Sequence, residues 1–133
     1  MGAHPPPFDG ILETVLYCDS SNEKETVAFY RNDLRLPQKA EMAFRVSEAQ
    51  VLLVFNVEHS SLQEVPPAHG ARGRGHACFV VPVDRYEDWK AHLDDRGVDI
   101  VREIEWPNGV RSFYFHDPAG NVLEIADGDL WPR

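Results

Sequence analysis

Glu124 is the residue from which chemistry is read first. It stands in Val122-Leu123-Glu124-Ile125, a run that is otherwise apolar, and follows Phe113-Tyr114-Phe115-His116 across Asp117-Pro118-Ala119-Gly120-Asn121. The flanking runs have strand composition. The segment between them has turn chemistry, with proline fixing φ at its start and glycine and asparagine accepting positive φ. A carboxylate in a buried strand is costly to desolvate unless a cation meets it. A metal ion would meet it. So would Arg111 at the start of the same hairpin, and exposure to solvent would remove the need. Ser112, Tyr114 and His116 alternate along one strand and therefore share a face. The Tyr114 phenol can donate to an anionic oxygen, or serve only as an aromatic wall.

The elements that hold these residues come twice. The first module opens with the β-rich run Ile11 to Cys18. Ser20 and Glu23 then fit a capping box, and Val27, Tyr30 and Leu34 recur at helical spacing, which predicts a helix over 21–34 ended by Pro37. Strands over about 38–46 and Gln50 to Asn56 complete it, with Ser47-Glu48-Ala49 as their turn. The second module opens with His76 to Val83. Asp84 and Glu87 form another capping box, Tyr86, Trp89 and Leu93 give the apolar stripe, and Gly97 is the helix stop. Val98 to Ile104 reads as a strand, and the hairpin from Phe113 to Ile125 closes the unit. Each module is β-α-β-β-β, so the fold class is α+β, with two modules forming a curved, cup-like mixed sheet and helices outside. Glu13 and His76 occupy matching places in the first strands, and Asn56 and Glu124 in the last.

With 133 residues the chain is expected to be a single domain, with modules at about 10–57 and 76–127 and a linker at 58–75. Arg72 and Arg74 in the Gly- and Pro-punctuated linker either clamp an anionic group or sit as solvated charges. The net charge of −9 disfavours nucleic acid and anionic membranes as partners. No apolar run reaches the length of a membrane span. Met1 to Phe8 is Pro-rich without an apolar leader, so a cytoplasmic location is expected. Cys18 and Cys78, each inside an apolar run, read as two buried free thiols in a reducing compartment.

Three segments carry a family likeness. They are Ala28-Phe29-Tyr30-Arg31-Asn32-Asp33-Leu34, Gly75-His76-Ala77-Cys78-Phe79-Val80-Val81, and Ser112 through Glu124. In these the chain resembles the vicinal oxygen chelate superfamily, which includes glyoxalase I, fosfomycin-resistance thiol transferases, bleomycin-binding proteins and extradiol dioxygenases. The likeness runs from Gly10 to Ala126. It implies a divalent metal ion (Mn, Mg, Fe, Ni or Zn) on Glu13, His76 and Glu124, with Asn56 at the place of a fourth ligand. Fosfomycin- and dioxygenase-type members usually have histidine where Glu13 stands. The harder Glu-His-Glu set favours Mn²⁺ or Mg²⁺ somewhat. Val15 replaces the threonine of the fosfomycin enzymes, which argues against that substrate. Arg35 stands where a glycine is usual at the end of the first helix.

The resemblance implies a small substrate that chelates the ion through vicinal oxygens, in lyase, isomerase or transferase chemistry. Glu124 and Tyr114 are the catalytic candidates, and Asn56, Ser112, Tyr114 and Arg111 the substrate-binding ones. It also implies a homodimer whose modules complete each other's sites. The other reading is a metal-free drug-binding protein of the bleomycin-resistance type.

Overall fold

The computed structural model describes residues 4–133, so the reading of the Pro-rich start lies partly outside the described residues. Two four-stranded mixed sheets form, one per module, and neither closes. In the first module, β1 (Glu13–Cys18) pairs parallel with β4 (Val51–Asn56), and β3 (Ala43–Arg45) and β2 (Gln38–Ala40) follow outward. In the second, β5 (His76–Val80) pairs parallel with β8 (Val122–Ala126), and β7 (Arg111–His116) and β6 (Arg102–Glu105) follow. First and last strands are thus neighbours in each module, because a parallel pair needs a crossover and the helix supplies it.

The crossover of module one is α1 (Glu23–Ala28), which continues as a π-helical turn over Phe29–Asp33. That of module two is a 3₁₀ turn at Val83–Arg85 followed by α3 (Tyr86–Asp95). Neither predicted capping box forms. Ser20 donates to Glu58 instead, Glu23 accepts from Asn56, and the 3₁₀ turn displaces Asp84 from the cap of α3. Gly97 ends α3 with φ +77°, and Arg35 ends the first helical segment with φ 56°. A glycine meets this left-handed conformation without steric cost, whereas an arginine is strained by roughly 1 kcal/mol. The sequence also gave no sign of α2 (Val57–Ser60), one turn after β4.

Alternation along the strands sorts the side chains. Leu16, Leu52 and Val54 of module one and Phe113, Leu123 and Ile125 of module two turn to the helices and join one continuous core. Phe29 meets Phe115 across the module boundary at 6.3 Å between ring centroids. Tyr30 donates to Asp117 Oδ2 at 2.6 Å in the same buried zone. Asn121 adds a polar tie. Its Nδ2 donates to Tyr17 O (3.0 Å) and to Asp117 Oδ2 (2.8 Å), and its Oδ1 accepts from Gly75 N (2.9 Å). Gly75 has no room for a side chain, since a Cβ there would lie 2.8 Å from Leu16 Cδ2 and 3.1 Å from Asn121 Oδ1. The backbone just before His76 is therefore pinned to both modules. No helix of the described residues is long and apolar enough to cross a membrane.

Candidate functional site

The face of the second sheet turned away from the helices carries polar side chains. On the second sheet this face is fixed by register, because residues directly opposite one another share a side. Cys78 opposes Glu124 across β5 and β8, and Glu124 opposes Tyr114 across β8 and β7. His76 lies two residues before Cys78 and joins them. Four groups able to bind a proton or a metal thus converge on one open face.

Glu124 is 3 % exposed. Its Oε1 is 3.4 Å from His76 Nε2, and its Oε2 is buried with no hydrogen-bond partner. His76 is fixed from its other nitrogen, since Nδ1 lies 2.8 Å from Val122 O. That carbonyl accepts only from a protonated Nδ1, which leaves Nε2 of the neutral ring with a free lone pair toward Glu124. The His76 ring also stacks on Tyr114 at 6.3 Å and 23°. Arg111 is not the partner of Glu124. It binds Asp127 Oδ2 through Nε at 2.8 Å, reaches Glu87, and lies over the Tyr86 ring at 4.3 Å. A buried carboxylate oxygen with no donor costs on the order of 1–3 kcal/mol. A cation bound between His76 Nε2 and Glu124 would relieve it.

The surroundings shift the neighbouring protons. Burial, and then the Glu124 carboxylate, push the Cys78 thiol up to about 12. Burial and Glu124 together also hold the Tyr114 phenol above its ordinary value. Both groups keep their protons at neutral pH and can donate toward an anionic ligand.

Of the remaining candidates, Ser112 shares the face of Tyr114 but is fully buried, its Oγ accepting from Trp106 Nε1 at 2.9 Å. Asn56 and Arg111 do not belong to the site. Asn56 lies an odd number of residues from Leu53 on the open face, so it turns to the helix side. There its Oδ1 accepts from Glu58 N and caps α2, while its Nδ2 donates to Ser20 and Glu23. The register also moves the partner of Glu124. With Glu13 opposite Val51 and His76 opposite Val122, the counterpart of Glu124 is Leu53 rather than Asn56. Arg111 fails by the same parity, one residue from Ser112.

Glu13 faces the open side of β1 and is exposed. With His76 it borders a groove of about 530 Å³ between β1 and β5, a groove Glu124 does not line. Among the described residues no three His, Cys, Asp or Glu side chains come together as a ready metal-binding group. The structure therefore joins His76 to Glu124 and leaves Glu13 apart.

Two further groups escaped the sequence reading. Cys78 is exposed rather than buried, because it lies on the open face of β5, whereas Cys18, on the helix side of β1, is buried as expected. Its period-two spacing from His76 was the available signal. His69 of the linker folds back over the first sheet, with Nδ1 2.6 Å from the Tyr17 hydroxyl and its ring 5.4 Å from that of Phe55. Nothing in its sequence neighbourhood announced this contact. Arg74 reaches His116 Nε2 at 3.2 Å, and Trp131 is exposed away from the core.

Tandem β-α-β-β-β modules with a His-Glu pair on the open face of the second sheet define a small α+β protein of the paired-module class. The family model for the Glyoxalase/Bleomycin resistance protein/Dioxygenase superfamily matches residues 15–125, and the chain belongs to that superfamily. A solved lactoylglutathione lyase from Agrobacterium tumefaciens is similar at 34% identity and a TM-score of 0.82, over 94% of this chain and 98% of that one. A virulence protein from Salmonella typhimurium shares the fold at 23% identity and TM-score 0.68, covering 91% and 98% of the two chains. A glyoxalase/bleomycin resistance protein/dioxygenase from Nocardioides does so at 16% identity and TM-score 0.69, covering 100% and 91%.

Proposed function

We propose that the protein is a metal-dependent glyoxalase-like enzyme acting on a small substrate that presents two adjacent oxygens. The observation that carries this reading is the buried, partnerless Oε2 of Glu124 beside His76 Nε2. His76 and Glu124 would hold the ion. A bound divalent cation polarises substrate oxygens and stabilises the negative charge that develops on them. This chain's own residues orient and protonate. Val122 O fixes the His76 ring, and Tyr114, which keeps its proton, donates toward an anionic substrate oxygen on the same face. The likeness to a lactoylglutathione lyase makes lyase chemistry the first to test.

Glu13 would reach the ion from a second copy of the chain, making the protein a homodimer. The support is its isolation from the His76–Glu124 pair and the open outer edges of β1 and β5. Such edges are sites for pairing with another strand.

Elemental analysis of freshly purified protein, with an assay on lactoylglutathione, tests the reading. One equivalent of divalent metal per chain, lost in Glu124→Ala together with turnover, supports it. Metal-free protein that gains neither ion nor activity on titration with Mn²⁺, Ni²⁺ or Zn²⁺ overturns it. The second reading, a metal-free binding protein, draws on one specific contact: a protonated His76 at 3.4 Å would itself satisfy Oε1 of Glu124.

A further inference from the structure

The fold sends the two linker arginines to different places. Hydrogen bonds from Ser21 at Asp19 and from Ser20 at Glu58, and after them the nearby Arg72 charge, hold both carboxyls below their ordinary range. Arg72 thus belongs to an acidic neighbourhood of the first module. Arg74 goes the other way. Val122 N donates to Gly75 O at 2.9 Å, so strand pairing runs on past the start of β5. From there the Arg74 side chain crosses the end of β8, and its Nη1 donates to His116 Nε2 at 3.2 Å. His116 opposes Val122, which opposes His76, so the contact lies in the row beside Glu124 and Tyr114 on the open face. The backbone behind it has no slack, because Gly75 N donates to Asn121 Oδ1 at 2.9 Å and Gly75 packs against Leu16. A guanidinium only donates, so His116 meets it with a lone pair and is the neutral Nδ1–H tautomer. His116 therefore does not balance the charge. Among the described residues Arg74 joins no ion pair. The chain has 22 acidic and 13 basic side chains, so that isolation comes from placement rather than from a shortage of carboxylates.

We propose that Arg74, steadied by His116, binds an oxyanion on an arm of the substrate that extends along the open face from the His76–Glu124 pair. The inference rests on the reading above that this face takes the substrate, and on none of its metal chemistry. The guanidinium N–H groups not used on His116 form a fork that matches two oxygens of a carboxylate or a phosphate. His116 and Glu124 are diagonal neighbours on paired strands, and such neighbours stand about 7–8 Å apart. The anionic group therefore sits several bonds away from the substrate oxygens at Glu124. The substrate class is a carbonyl compound with a negatively charged arm, rather than a short neutral one.

The test titrates glutarate and inorganic phosphate, separately, into the full chain at low salt. It follows the ring resonances of His116 by NMR, assigned through their loss in His116→Gln. The expected result is a saturable shift of those signals in the wild type. Arg74→Gln should weaken the binding by at least about tenfold, since a charge-assisted contact is lost. Arg74→Lys should recover part of it, and Arg72→Gln should leave it unchanged. Saturation by glutarate alone assigns a carboxylate arm, and saturation by phosphate alone a phosphate arm. No saturable shift with either anion overturns the proposal, as does a shift that persists unchanged in Arg74→Gln. The two readings fail separately. Metal uptake and turnover of lactoylglutathione without any anion effect at His116 overturn the role of Arg74 alone. Arg74-dependent anion binding by protein that takes up no metal overturns the metal reading and leaves the anion site in place.

Discussion

The two sheets share one plan and differ in what they present. At register-matched positions the second sheet has His76, Cys78, Glu124 and Tyr114 where the first has Glu13, Val15, Leu53 and Ala43. The backbone places these residues identically. The chemistry is therefore decided by four side chains on one copy, while the other copy stays mostly apolar on the same face. The duplicated scaffold sets the directions in which groups point, and only one half loads those directions with donors and ligands.

The largest test of that contrast makes the second sheet resemble the first. Glu124→Leu installs the residue of position 53. It should abolish metal binding and turnover, yet raise the urea stability of metal-free protein by about 1–3 kcal/mol, because it removes a buried oxygen with no partner. An equal or lower stability would mean that Oε2 is satisfied in solution. Next in size is Asn121→Ala, which cuts the tie between the halves. Loss of bonds to Tyr17 O, Gly75 N and Asp117 should cost about 3 kcal/mol in equilibrium unfolding. A cost under about 1 kcal/mol would show that the modules are held by apolar contact alone.

A third test concerns Asp127, which the second module pairs with Arg111. Burial alone would raise its carboxyl, but the Arg111 backbone N–H and guanidinium hold it below the ordinary range. A depressed folded-state value stabilises the fold above the unfolded carboxylate range, and this contribution disappears as pH falls through the lowered value. Asp127→Asn should flatten the acid limb of stability below about pH 4. An unchanged limb would assign acid sensitivity elsewhere. The smallest effect is Arg35→Gly, which gives module one the helix end that module two has at Gly97. Relief of the left-handed strain should add about 1 kcal/mol or less to stability, read as a small rise in the urea midpoint without a change in slope.

Much of this contrast was written in the sequence. The order of elements, the hairpin around Asp117–Asn121 and the helix stop at Gly97 follow from periodicity and turn chemistry, while Arg35 stands out only through the family resemblance. So does the oddity of Glu124, because a carboxylate inside an apolar strand is conspicuous. The failures have one main cause. A strand shows its face only once its register is known, and one residue of slip exchanges the two faces. Asn56 falls in the cleft only through that slip, whereas Arg111 is already placed on the other face by its odd spacing from Ser112 and Tyr114. Cys78 reads as a core residue for the same reason, because an apolar run does not reveal which of its residues face the helices. The capping boxes failed for another reason: Ser20 and Glu23 found long-range partners in Glu58 and Asn56, which no local pattern contains.

Each sheet joins its first strand to its last, with β1 beside β4 and β5 beside β8. During synthesis, the opening strand of a module must wait unpaired until the ribosome has delivered the closing one. Neither half can lock its sheet while partly made, and β5 with His76 stays unsupported until β8 emerges. A chain cut before Val122 would lose Glu124 and, with it, the carbonyl that aims His76.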